Sequence, residues 1–208
     1  ISMLEHLFVK KKLPGKYFIL ESSKTLIDLQ KENIEKKIPN LISLVKWITL
    51  SEINHFDGLL ICNEFFDVLP TDRFRINDRK FYQLFVDFED SFTETWIENT
   101  HKFEEIFKEH MDIEKLSKYQ NYESEINLNY EIWVNKINKI LNKGVALIID
   151  YGYDSNEYYL PDRNKGTLVC IHKHAPNFNP YENIGLQDIS SFVNFSHLAH
   201  FFRKYNFD

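Results

Sequence analysis

The chain has 208 residues, of which 43% are hydrophobic and 15% aromatic, with 18 Phe and 11 Tyr; this composition excludes an intrinsically disordered chain and suits one domain with a single buried core. A formal net charge of −6 supplies no basic field, which argues against nucleic acid or an anionic membrane surface as a partner. No stretch approaches the ~18 consecutive apolar residues of a membrane-spanning helix, and the first residues lack the charged-then-apolar layout of a signal peptide.

The chain opens on Ile1 rather than Met, so the natural N-terminus is expected upstream. Ile1, Leu4, Leu7 and Phe8 recur at helical spacing up to the Pro14-Gly15 breaker, which predicts a first helix. Residues 17–20 read as a short apolar strand ending on Glu21, and Ser22 or Ser23 can cap a following helix whose apolar positions include Leu26, Leu29 and Ile34. Residues 41–47 and 58–62 are two further strand candidates, so strands alternate with helices as in parallel βαβ units. A turn at Asn77-Asp78, between residues 74–76 and 81–86, predicts a hairpin added to the sheet.

Residues 87–125 contain neither Gly nor Pro and alternate charged residues with Phe92, Trp96, Phe103, Ile106 and Phe107, a pattern that predicts a helical insertion or lid. Ile126, Tyr130, Trp133, Ile137, Ile140 and Leu141 then form a 3.6-residue stripe that Gly144 is expected to stop, ahead of an apolar strand over 145–149 ending on Asp150. A strand over 166–171, a Pro/Asn-rich loop over 175–182 and a helix near 195–205 complete the reading. Cys62 and Cys170 lie in apolar, strand-like surroundings, which predicts free thiols rather than a disulfide.

Three polar clusters close or follow apolar runs, where open α/β sheets carry their chemistry. Glu21 stands at a strand end, the place of an acid that accepts ribose hydroxyl protons, although such an acid can equally cap the next helix. Asn63 and Glu64 join an amide to a carboxylate, with Asp67 three residues on; they could orient a cationic substrate, or Asp67 could be a helix cap and Glu64 a solvated charge. Asp150, Tyr151 and Gly152 repeat the arrangement, and residues 163–168 (RNKGTL) form the third cluster. Cys170, His172 and His174 alternate as metal ligands on a strand would, but they lack a fourth ligand and looped spacing, so no metal site is expected.

In order along the chain, YFILESSKTLIDLQ (17–30), NEFFDVLP (63–70), YESEI (122–126), LIIDYGY (147–153), YYLPDRNKGTL (158–168) and GLQDISSFVNFS (185–196) resemble the MidA-like methyltransferases, which include the mitochondrial complex I assembly arginine methyltransferase. The resemblance implies an α/β, Rossmann-like class I methyltransferase fold with a largely parallel seven-stranded sheet. Its N-terminal strand and glycine-rich loop are expected ahead of Ile1, and 87–125 is the insertion in a single domain. It further implies S-adenosylmethionine as cofactor and a protein arginine as acceptor. On that basis Glu21, Ser22 and Asn63 would bind cofactor; Asn63, Glu64 and Asp67 would lie beside the transferred methyl; and Glu125, Asp150, Tyr151 and Arg163 would face the acceptor.

Glu21, the 63–67 patch and Asp150 are expected along one rim of one parallel sheet. The compartment expected is cytoplasmic in a bacterium and mitochondrial in a eukaryote, with a homodimer as a compatible assembly. The competing readings are a non-catalytic assembly module that keeps the fold and, with less support, a nicotinamide-dependent oxidoreductase on the same sheet.

Overall fold

The computed structural model describes residues 2–108 and 113–208; Ile1 and part of the expected insertion lie outside the described residues. The chain divides into two compact units, Ile1–Phe56 and Asp57–Asp208.

In the first unit, α1 (Ser2–Val9), β1 (Tyr17–Leu20), α2 (Lys24–Lys37) and β2 (Val45–Ile48) bury Leu4, Ile34, Leu41 and Val45 in a small core against Tyr17, Ile19 and Trp47. The Ser23 hydroxyl caps α2 by accepting from Leu26 N at 3.4 Å. The strand expected from residue 41 starts later, because Pro39, with fixed φ and no N–H, opens a 3₁₀ turn that runs to Leu44. β1 pairs in parallel with β2, from Tyr17 opposite Val45 to Leu20 opposite Ile48.

The second unit holds all but the first residue of β3 (Phe56–Asn63), followed by β4 (Asp72–Asn77), β5 (Lys80–Phe88) and β6 (Phe92–Glu98), then α3 (Thr100–Phe107), α4 (Ile113–Leu116) and β7 (Tyr122–Ile126). Strands β6–β5–β4–β7 form one antiparallel sheet. The β4–β5 turn centres on Asp78 and Arg79, both left-handed at φ 49° and 61°, the backbone a two-residue hairpin needs. The described residues of 87–125 therefore do not form the helical insertion expected: β5 extends to Phe88, and β6 and β7 are strands. Absence of Gly and Pro permits a helix without requiring one, and FTETWIE over 92–98 is rich in β-branched and aromatic residues that pair with β5. Phe103 and Phe107, four apart on α3, close over the inner face of this sheet against Phe74 and Phe81.

The chain continues through α5 (Tyr130–Ile140), β8 (Leu141–Ile149), β9 (Gly152–Tyr153), α6 (Ser155–Tyr158), β10 (Val169–His172), β11 (Ala175–Asn177), β12 (Asp188–Ser190), β13 (Val193–Asn194) and α7 (Phe195–Lys204). Ile126 belongs to β7 and not to the helix. Gly144 does not stop α5; it lies within β8, where a Cβ would run into the Gly58 carbonyl oxygen. Gly58 beside Gly144 at one end, and Glu64 N–H donating to Ile149 O at 2.8 Å at the other, show β3 and β8 running in the same direction.

Helices α5 and α7 cover one face of β3–β8 through Leu60, Cys62, Ala146 and Ile148. On the other face Leu59, Ile61, Val145, Leu147 and Ile149 stay open, from 39% exposed at Ile61 to 61% at Val145. β9–β13 is a further parallel pair and β11–β10–β12 an antiparallel sheet. The fold is α/β, but the sheets among the described residues are small and the larger ones antiparallel. A single seven-stranded parallel sheet is not seen, because β1 takes β2 as its strand partner and the local hairpins of residues 72–126 pair among themselves.

Candidate functional site

Asn63 ends β3 in an exposed position, and Glu64, also exposed, adopts a left-handed backbone at φ 46°. Strand pairing carries one residue past β3, through the Glu64 N–H, before the chain turns. The next three backbone amides, Phe65, Phe66 and Asp67, all point at Asp150 Oδ2, at 3.2, 3.0 and 3.3 Å. Asp150 Oδ1 accepts from Tyr151 N at 2.9 Å. One carboxylate from the end of β8 thus gathers a nest of amides and fixes the loop that follows β3. Burial raises the Asp150 carboxyl above the ordinary aspartate range despite those amides. Burial, then the Asp150 charge, pushes the Cys62 thiol up to about 11, and both cysteines are free thiols.

Asp67 is only 3% exposed. Its Oδ2 accepts from the Tyr151 hydroxyl, which also lies 3.0 Å from Ser190 Oγ. With its one proton given to Asp67, the Tyr151 oxygen is left to accept from Ser190. Burial and the bond to Asp67 push Tyr151 up to about 12. Ser191 N–H donates to Asp67 O and Val193 N–H to Tyr151 O, each at 2.9 Å. Asp67 Oδ1 is buried with no hydrogen-bond partner among the described residues.

A second cluster surrounds Glu125, which is 1% exposed. Its Oε1 accepts from Tyr158 OH at 2.9 Å, from Thr167 N at 2.8 Å and from the Thr167 hydroxyl. Burial is the main cause that raises its carboxyl, against those hydrogen bonds. Gly166 passes so close, at φ +75°, that a Cβ would strike Glu125 Oε2. Thr167 Oγ1 also accepts from Phe192 N at 2.9 Å, and the Phe192 ring packs edge-on to Tyr151 with centroids 5.5 Å apart. The two clusters are therefore joined through Thr167 and Phe192. Arg163 is committed locally, donating to the Glu157 and Tyr158 carbonyls and lying 4.1 Å from the Tyr153 ring centre.

Of the residues singled out from sequence, the structure brings Asp67, Asp150 and Tyr151 together beside Asn63 and Glu64, and places Glu125 and Arg163 around Tyr158. Glu21 and Ser22 belong to the first unit. Glu21 is half-buried, its Oε1 accepting from Ser23 N at 2.9 Å and its Oε2 from Gln30 Nε2 at 3.5 Å, while Ser22 is exposed. Ser190, Thr167 and Tyr158 were not anticipated, although each falls within a quoted motif; their partners Tyr151 and Glu125 lie 33 to 42 positions away and leave no local pattern. β10 ends at His172, and Lys173 and His174 turn in left-handed conformation, so Cys170, His172 and His174 do not share a strand face. No group of three His, Cys, Asp or Glu side chains among the described residues is arranged to hold a metal.

Two solved structures from Burkholderia thailandensis superpose with a TM-score of 0.86 at 25% identity. One is an uncharacterized member of the COG1565 superfamily, matched over 99% of this chain and 54% of its own; the other, a member of the same superfamily bound to S-adenosyl-homocysteine, is matched over 99% and 52%. The chain thus spans about half the length of these structures. No curated protein matches it significantly in sequence. The Methyltransf_28 family, described as "Putative S-adenosyl-L-methionine-dependent methyltransferase", matches residues 2–207, and the chain belongs to this family, whose cofactor is S-adenosyl-L-methionine.

Proposed function

We propose that the protein is a MidA-like class I methyltransferase whose acceptor is a protein arginine, acting in the assembly of a respiratory complex. The observation that carries this reading is the loop after β3, held by three amides on Asp150 so that Asn63 and Glu64 stand exposed at a strand end. That is where α/β sheets present ligand-facing groups, and the polar atoms there fit a cationic acceptor.

S-adenosylmethionine supplies a methyl group on a sulfonium, and the transfer is an in-line displacement in which positioning supplies most of the protein's contribution. Glu64 would receive the acceptor guanidinium through paired hydrogen bonds and orient one of its nitrogens for transfer. Asp67, Tyr151 and Ser190 hold the loop's far end. Glu125 acts at one remove, through Thr167 and Phe192. Asn63 would contact the cofactor.

Calorimetric titration of the full-length protein with S-adenosylmethionine tests the cofactor site: a null result with the fold intact favours the rival reading, an assembly module without catalysis. Glu64→Gln is expected to lower arginine methylation while leaving cofactor binding unchanged, and unaltered methylation removes Glu64 from the mechanism.

A further inference from the structure

The outer face of the β6–β5–β4–β7 sheet differs from its inner one. Alternation along β4 buries Phe74 and Ile76 and leaves Arg73, Arg75 and Asn77 on the opposite side. Across the ladder, Tyr82 of β5 and Glu123 of β7 stand on either side of Arg75. Arg75 is fixed from two directions: its Nε and Nη2 donate to Glu123 Oε1 at 3.1 and 2.8 Å, and its guanidinium carbon lies 4.2 Å from the Trp96 ring centre. Arg73 reaches Glu123 Oε2 at 3.3 Å, and Lys165 Nζ lies 3.9 Å from Oε1. Three cations therefore share one carboxylate, with Glu94 at 3.4 Å meeting part of the charge of Arg73. Over this floor opens a cavity of about 420 Å³, walled by Tyr82 and Trp96 and rimmed by Asn77, Asn121 and Lys165. None of Asn63, Glu64, Asp67, Asp150 or Tyr151 lines it.

We propose that this cavity is a second binding site, for a small anion of mononucleotide size carried on a flat ring. Its volume falls within the range of ligand pockets, roughly 300–1,000 Å³. The carboxylate of Glu123, which alone would repel an anion, is already engaged by Arg73, Arg75 and Lys165, so the floor carries a local positive excess on a chain whose net charge is −6. A guanidinium held in place by Glu123 and Trp96 retains Nη1 as a donor for a phosphate or carboxylate, at little further loss of side-chain freedom. Lys165, whose side chain is 79% exposed, can swing onto the same anion. The flat faces of Tyr82 and Trp96 suit a ring, and the amides of Asn77 and Asn121 supply both donors and acceptors for its edge.

Titration with uridine 5′-monophosphate, uridine and inorganic phosphate, followed by calorimetry and tryptophan fluorescence, tests the proposal; a pyrimidine keeps the probe unlike the cofactor. The nucleotide is expected to bind with a Kd of about 1 mM or tighter, with uridine and phosphate each at least about tenfold weaker, since each keeps one half of the recognition. Saturating S-adenosyl-homocysteine should leave this binding in place. Lys165→Ala is expected to weaken it by about threefold or more without touching the fold, and Arg75→Ala by more. The proposal is overturned by folded protein that shows no binding at ~10 mM nucleotide, by uridine binding as tightly, by displacement with S-adenosyl-homocysteine, or by unchanged affinity in both variants.

Discussion

Three successive amides end on a single oxygen at Asp150, so Asp150→Ala leaves the Phe65, Phe66 and Asp67 N–H groups without their acceptor. A destabilisation of about 1–3 kcal/mol is expected in urea denaturation. The same carboxylate helps keep the Cys62 thiol up at about 11; Asp150→Asn, which keeps an acceptor but removes the charge, should bring that value down, read as faster alkylation of Cys62 at a given alkaline pH. Burial is the larger cause, so the thiol should remain above its ordinary range. Glu125 provides a pH test. Its folded-state value is raised by burial, so the folded chain holds the proton where the unfolded chain has lost it. Stability from this group is full below the ordinary glutamate value of about 4.3 and declines as pH rises through the folded value. Relative to Glu125→Gln, the native protein should lose stability with rising pH across that window, and parallel curves for the two proteins would exclude this role.

Pairing between elements explains which of them could be read in advance. β1, β3, the β4–β5 hairpin, α5, α7 and the apolar run ending at Asp150 follow local patterns, which hydrophobic periodicity and turn residues carry. The 87–125 segment misleads because FTETWIE becomes a strand only by pairing with β5, a neighbour that its own composition does not name. Gly144 has the sequence signature of a helix stop, yet its role depends on Gly58, 86 positions away. At the site, Asn63, Glu64 and Asp150 were legible from their strand ends, whereas Ser190 and Thr167 depend on tertiary partners. The glycine contact gives the element-scale test. Gly144→Ala places a methyl against the Gly58 backbone, which cannot yield as a flexible side chain would, so β3 and β8 cannot keep their spacing. Disruption of the β3–β8 pair, with loss of the α5–α7 core packed on it, is expected by circular dichroism and near-ultraviolet signal, while a surface change such as Lys143→Ala should be tolerated.

On the scale of the whole chain, the bare side of β3–β8 determines behaviour in solution. Parallel strands normally have both faces covered, and here Leu59, Ile61, Val145, Leu147 and Ile149 form a continuous aliphatic surface on two adjoining strands while α5 and α7 cover only the other side. Apolar area costs about 25 cal/mol per Å² left in water, so contact between such faces is favourable whenever two chains meet. Concentration-dependent self-association of the 208-residue chain is therefore expected in sedimentation velocity. The double substitution Leu59→Ser with Val145→Ser should reduce it severalfold, because it removes apolar surface from both strands without entering the half-buried set Leu60, Cys62, Ala146 and Ile148 that packs against α5 and α7. An unchanged circular dichroism spectrum would show that the fold survives. If the variant then sediments as the parent does, association runs through another surface, and the exposed hairpin residues Phe85, Val86 and Phe88 become the place to substitute.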